Sequence, residues 1–229
     1  MSEPLVLLPG LLCDARLWRE VIEGLGPRPV FIADLTRDDS VAGMARRLLD
    51  AAPPRLALAG LSMGGYVAFE ILRQAPERVA RLCLLDTAAN PDDEERRETR
   101  RRAIAGVAQG KFAGVARSLL PTFVRPEHVE GPIGAEITAM TRRVGPEAFI
   151  RQQTAILARP DSRPLLPTIA VPTLIGVGMD DQLTPPSRAA EMADAIPGAA
   201  LVEFPASAHL PPLENPAAVI AAMQGWLEG

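Results

Sequence analysis

Three side chains in this sequence are of the types that together turn a hydroxyl into a nucleophile. They are a serine between glycines at Ser62, a histidine at His209, and a carboxylate at Asp180 or Asp181. Ser62 lies in "RLALAGLSMGGYVAFE", where a short apolar run becomes a helix-like pattern and Gly60 and Gly64 bracket the serine. A strand-to-helix turn this tight strains the serine backbone and brings neighbouring chain so close that a Cβ would clash. The hydroxyl is raised above the sheet edge, and the N–H of Met63, at the start of the helix, can face a developing oxyanion. A serine hydroxyl attacks poorly without a base. Of the two histidines, His209 in "FPASAHLPPLENP" follows a strand-like run, whereas His128 in "RPEHVEGP" reads as a surface residue. Such a base needs a carboxylate to fix its tautomer and stabilise the imidazolium. "TLIGVGMDDQLTPP" offers Asp180 and Asp181 just past the preceding apolar run.

These groups can meet only if the chain returns each of them to one place. Apolar runs at 5–8, 30–33, 56–59, 82–85, 173–177 and 201–204 read as strands, and helical patterns fill 17–25, 41–51, 63–74, 188–196 and 217–227. This alternation predicts an α/β fold, a mostly parallel sheet of about six strands with helices on both faces. Right-handed crossovers put the carboxyl ends of all strands on one edge, where ligands bind in open sheets. Ser62, the Asp180–Asp181 pair and His209 each follow a separate strand, in the order serine, aspartate, histidine.

One segment breaks the rhythm. Residues 90–167 contain only helical patterns, punctuated by Pro121, Pro126, Pro132, Pro146 and Pro160, and open on "PDDEERRETRRR". This predicts a helical cap inserted over the carboxyl edge, with 1–89 and 168–229 forming the core. Its apolar residues Phe112, Leu119, Leu120, Phe123, Met140, Phe149 and Ile156 are candidates for the pocket wall or for the cap's own core. Arg96, Arg97, Arg100, Arg101 and Arg102 read as a solvated helix face.

Bulk properties exclude several function classes. The chain has 229 residues, 48% of them hydrophobic, and a net charge of −4. That charge offers no attraction for nucleic acid or an anionic membrane, and no run approaches the roughly 20 apolar residues of a membrane span. The opening "MSEPLVLLPG" lacks the basic and long apolar regions of a signal peptide, so a cytoplasmic monomer or homodimer is expected. Cys13 and Cys83 have no metal-ligand spacing and read as reduced structural thiols. No phosphate loop or zinc pattern is present, and no cofactor or metal is expected.

With these placements the chain resembles the α/β-hydrolase fold superfamily, in the single-domain layout of bacterial carboxylesterases. The blocks "VLLPGLLCDARLW", "AGLSMGGYVAFEI", "PTLIGVGMDDQLTPP" and "AHLPPLENP" carry the resemblance across nearly the whole chain. It implies Ser62 as nucleophile, His209 as base, and oxyanion N–H groups from Leu11 and Met63. The family's Gly-x-x-Asp-x-x-x-Pro block, anchored here by Gly178 and Pro185, implies Asp181 rather than Asp180 as the orienting acid. Some relatives place that acid one strand earlier, which makes Asp86 in "LLDTAAN" the alternative; otherwise Asp86 would anchor the start of the insertion. The family's usual His-Gly after the first strand is Pro9-Gly10 here. Counterparts of the family's two antiparallel N-terminal strands are not expected here, which sets the expected strand number at about six. The implied activity is hydrolysis of a carboxylic ester or related acyl bond of a small molecule. The alternatives are carbon–carbon or lactone hydrolysis by the same residues, or slow-turnover ligand binding.

Overall fold

Leu5, Val6, Leu7 and Leu8 are all fully buried, as expected of a strand covered on both faces. The computed structural model describes residues 3–229. Its strands are β1 (Leu5–Leu8), β2 (Val30–Ile32), β3 (Leu56–Leu61), β4 (Val79–Leu85), β5 (Thr173–Gly178) and β6 (Ala200–Phe204). They form one six-stranded sheet in the order β2-β1-β3-β4-β5-β6, with every neighbouring pair parallel.

The helices are α1 (Arg19–Leu25), α2 (Val41–Ala51), α3 (Met63–Gln74), α4 (Glu94–Ala108), α5 (Val115–Phe123), α6 (Pro126–Val129), α7 (Pro132–Ala158), α8 (Pro186–Ala195), α9 (Pro211–Glu214) and α10 (Pro216–Glu228). Successive strand residues point to opposite faces, and this pleat divides the core in two. Val6, Leu8, Leu56 and Leu58 pack with buried residues of α2, α3 and α8. Leu5, Leu7, Ala57 and Ala59 pack with those of α1 and α10 on the other face. Each fully buried leucine contributes about 1.5–3 kcal/mol relative to an exposed one.

Most elements match the sequence expectation to within two residues, but β4 begins three residues earlier than its apolar run. Arg81 bounds that run, and the strand continues through it because the guanidinium donates to the carbonyl of Trp226 at 2.9 Å. Among the described residues no helix is long and apolar enough to cross a membrane.

The inserted segment is helical, as expected: α4 to α7 fill it without a strand. The run called α7 bends sharply at Gly145, whose φ of 82° is followed by Pro146. Leu120, Phe123, Ile137 and Met140 from these helices belong to the same buried cluster as Leu5 and Leu7. The insertion is therefore welded to the core rather than hung from it.

The chain reverses its direction of travel across the sheet between β1 and β3. A crevice opens outside the carboxyl ends of strands at such a switch point. The loops that follow β1 and β3 carry Leu11 and Ser62.

Candidate active site

Ser62 joins β3 to α3 with φ 54° and ψ −114°, backbone that a non-glycine residue rarely adopts. The glycines around it make the turn possible. A Cβ on Gly60 would stand 2.6 Å from the backbone of Gly64, and one on Gly64 would fall on the carbonyl of Leu8. The strained residue is pinned from both sides. Its N–H donates to the carbonyl of Leu85 at 2.9 Å, and its carbonyl accepts from the Thr87 hydroxyl at 2.8 Å.

The hydroxyl of Ser62 lies 2.9 Å from His209 Nε2, and His209 Nδ1 lies 2.8 Å from Asp181 Oδ2. An ionised carboxylate only accepts, so Nδ1 carries the proton and Nε2 is left to accept from the serine. Asp181 is almost fully buried and fully engaged. Its Oδ1 accepts from the N–H groups of Leu183 at 2.8 Å and Thr184 at 3.2 Å, and its Oδ2 accepts from the Thr184 hydroxyl at 2.7 Å. Burial alone would raise its pKa. The hydrogen bonds from His209 and Thr184, with the positive charge that His209 carries when protonated, outweigh burial and hold Asp181 below the usual carboxylate range.

The other two carboxylates considered from sequence are placed elsewhere. Asp180 is exposed, and its carboxylate pairs with Arg125 at 3.2 Å. Asp86 is buried beside Asp181, but it anchors the end of β5 rather than the insertion, with Oδ1 accepting from the N–H of Gly178 at 2.8 Å. Its second oxygen receives no hydrogen bond from a described residue. Burial first, and the Asp181 charge second, push the Asp86 carboxyl well above its ordinary range.

Asp86, Asp181 and His209 bring one donor atom each within 4.8 Å of one another, the spacing of a metal cluster. Four hydrogen bonds already occupy Asp181, and one of them holds the ring nitrogen of His209 that faces the cluster. Among the described residues of this cluster only Asp86 Oδ2 remains uncommitted, too few ligands for a divalent cation. The donor set is that of a hydrogen-bonded relay.

The N–H groups of Leu11 and Met63 make no hydrogen bond to a described residue. Met63 is the first residue of α3, where N–H groups have no partner within the helix and the dipole favours negative charge. Leu11 precedes Leu12, a second strained residue at φ 59°. The Leu12 N–H donates to Gln152 Oε1 at 3.1 Å, and the same amide donates to the Leu35 carbonyl at 3.1 Å. A buried side chain of α7 thus holds the loop after β1, a support that no local pattern in the sequence indicates.

Glu214 was also missed. Its Oε2 accepts from the Ala208 N–H at 2.8 Å, and its Oε1 accepts from the Arg125 N–H at 2.8 Å and contacts His128 Nδ1 at 3.0 Å. His128, expected at the surface, is half-buried as part of this brace behind His209.

A cavity of about 580 Å³ opens over Ser62 and His209. Of the candidate pocket residues, Leu119, Phe123, Phe149 and Ile156 line it, whereas Phe112, Leu120 and Met140 do not. Cys13 lines it as well. Burial pushes that thiol up to about 12, so it stays protonated and unreactive. Cys83 is buried in β4 and is likewise pushed up by burial.

Residues 5–222 match the alpha/beta hydrolase family. The chain belongs to this family. Among curated hydrolases, it is 32% identical over 227 residues to a relative named for carbamate hydrolysis, RutD of Azorhizobium caulinodans, covering 90% of this chain and 84% of that one. It is 29% identical over 231 residues to the pimeloyl-acyl-carrier-protein methyl ester esterase of Nitrosomonas europaea, covering 93% and 90%. Among solved hydrolase structures, a thermophilic esterase from Thermogutta terrifontis superposes with a TM-score of 0.88 at 30% identity, covering 100% of this chain and 90% of that one.

Proposed function

We propose that the protein is a serine hydrolase that cleaves a carboxylic ester of a small molecule, with Ser62, His209 and Asp181 as its catalytic residues. The observation that carries this reading is the continuous hydrogen-bonded line from Ser62 Oγ through His209 to the buried Asp181, at 2.9 and 2.8 Å. Ser62 Oγ attacks the acyl carbon while its proton passes to His209 Nε2. Asp181, held ionised, stabilises the imidazolium that forms.

The carbonyl oxygen becomes an oxyanion, and the free N–H groups of Leu11 and Met63 receive it. Collapse breaks the bond to the alcohol, which departs with the proton from His209. Water, deprotonated by the same histidine, then attacks the acyl-enzyme and releases the acid and Ser62. Residues 90–167 serve as the cap that roofs the acyl pocket, over a core of 1–89 and 168–229.

The esterase relatives favour an ester over the other acyl bonds this relay can attack. A panel of short p-nitrophenyl esters, with a matched carbamate and lactone, tests the reading. Sustained turnover that is fastest on the esters supports it. A single burst without turnover, or faster cleavage of the carbamate or lactone, overturns the ester assignment.

A further inference from the structure

The cavity above Ser62 has a polar wall that the ester chemistry does not use. Asp92, at the start of the inserted segment, is buried between two arginines: Arg100 Nε at 2.6 Å and Arg159 Nη2 at 2.9 Å. Burial would raise this carboxyl, but the hydrogen bonds from Arg159 and Arg100 hold it down at about 2. Two guanidinium groups against one ionised carboxylate leave an excess of one positive charge in a largely desolvated place. The cluster is also rigid. Arg159 lies over the Tyr66 ring, 4.2 Å from its centre, and donates to the carbonyls of Ile156 and Asn90.

Three groups of this wall face the cavity with unused hydrogen-bonding capacity. Arg100 spends Nε on Asp92 and Nη1 on Gln153 Oε1 at 2.8 Å, while its Nη2 has no partner among the described residues. Accepting from Arg100 fixes the Gln153 amide so that its two Nε2 hydrogens are left over. The Tyr66 hydroxyl is likewise without a partner. None of the three atoms is sealed from solvent, and all three residues line the cavity that holds Ser62. Tyr66 stands one helical turn along α3 from Ser62, so this wall shares the cavity with the nucleophile without belonging to its hydrogen-bonded line.

The exposed charges at the cavity's edge cancel, with Asp93 and Glu95 set against Arg96 and Lys111. The uncompensated charge is therefore the inner one.

We propose that Arg100, Gln153 and Tyr66 form a subsite for a free carboxylate of the substrate, so that the natural substrate is an ester bearing a second, ionised carboxyl group. This rests on the hydrolase reading and names its substrate class. The charge selects the ligand. One excess positive charge is neutralised by a carboxylate, whereas a phosphate dianion would leave a net negative charge buried. The donors fit as well: a guanidinium N–H, an amide NH₂ and a phenol line the same cavity, and each can donate to a carboxylate oxygen. The solvated-face reading of the arginine run holds for Arg96, Arg101 and Arg102, but not for Arg100.

The test uses two matched pairs of esters followed by acid release. Monomethyl adipate against methyl hexanoate puts the carboxylate in the acyl half; ω-acetoxyhexanoate against hexyl acetate puts it in the alcohol half. The wild-type protein should prefer the carboxylated member of at least one pair by roughly tenfold to a hundredfold in kcat/KM, the worth of a charge-assisted hydrogen bond. Arg100→Met should bring that ratio close to unity. Arg100→Lys, which keeps the charge but loses the fork, should retain part of it.

Should Arg100→Met not fold, Gln153→Leu and Tyr66→Phe should each lower the ratio. Equal cleavage of both members of both pairs, or a preference that survives Arg100→Met, overturns the subsite and leaves the hydrolase reading standing. Failure to cleave any ester strikes the hydrolase reading instead. Calorimetric binding of monomethyl adipate to wild type and Arg100→Met then decides the subsite, with equal or absent binding counting against it.

Discussion

The carboxyl groups of Asp86 and Asp181 lie within 4.8 Å of each other and of His209, one pushed well above its ordinary range and the other held below it. Their environments set them apart. Asp181 receives hydrogen bonds from His209, Thr184 and the backbone, whereas Asp86 receives one from Gly178 and has a bare second oxygen. Two buried carboxylates this close do not both ionise, and the one with fewer donors keeps the proton. The ionised member is the one bonded to the histidine, as the proposed mechanism needs.

Asp86 therefore titrates with a raised pKa, in a buried setting where Asp181 and Glu214 add negative charge and His209 lies within 4.8 Å. The sign follows from linkage. Above the unfolded-state carboxylate pKa of about 3.9, the unfolded chain has released this proton while the folded chain still holds it, so folding stability falls as pH rises toward the folded pKa. Asp86→Asn removes this loss and keeps an oxygen that accepts from the Gly178 N–H. The variant should melt higher than wild type at about pH 8, with the gap closing as pH falls toward about 4. Thermal melts of both proteins across that range check it, and a gap that is absent or grows at low pH contradicts it.

The two neighbours Asp180 and Asp181 should separate cleanly in kinetics. Asp181→Asn loses the group that fixes the His209 tautomer, a change that costs on the order of 10⁴-fold in the serine-protease case. Asp180→Asn removes only an exposed ion pair with Arg125 and should stay within about tenfold, or about 1.4 kcal/mol of barrier. Measuring kcat/KM of both variants on one ester decides between them, and the reverse ranking would move the orienting acid to Asp180.

Gln152 should matter to chemistry more than to substrate capture. It holds Leu12, and through it the Leu11 N–H, by a hydrogen bond at 3.1 Å. Gln152→Leu fills the space but releases the loop, so kcat should drop about 10- to 100-fold, up to the scale of losing one oxyanion donor. KM for a simple neutral ester should change far less. A variant with normal kcat and raised KM would show that the loop binds substrate rather than its oxyanion.

The sheet was legible in the sequence because strands buried on both faces need uninterrupted apolar runs, and those of β1, β3 and β5 are short and sharply bounded. Ser62 and His209 were legible because their signals are local: glycines at a strand–helix junction, and a histidine just after a strand. Asp181 was separable from Asp180 only through the family spacing, since nothing local says which of two adjacent carboxylates turns inward.

The supports were not legible. Gln152 meets Leu12 across 140 residues of chain, and Arg100 reaches Gln153 across 53. Such pairings depend on how the inserted helices settle on the core. For the same reason Arg100, one of five similar arginines in sequence, proved to be the one committed to a buried carboxylate while facing the cavity.

The central claim is that Ser62 is the acyl nucleophile, and a fluorophosphonate probe with peptide mapping tests it most directly. Attack on phosphorus needs both the activated hydroxyl and a donor pocket for the developing oxyanion, so labelling reports the assembled site rather than the serine alone. The account predicts a single adduct on the peptide containing Ser62, slowed strongly in His209→Ala and absent in Ser62→Ala. Labelling of Ser62→Ala at the wild-type rate, or an adduct on any other residue of the native protein, would contradict it.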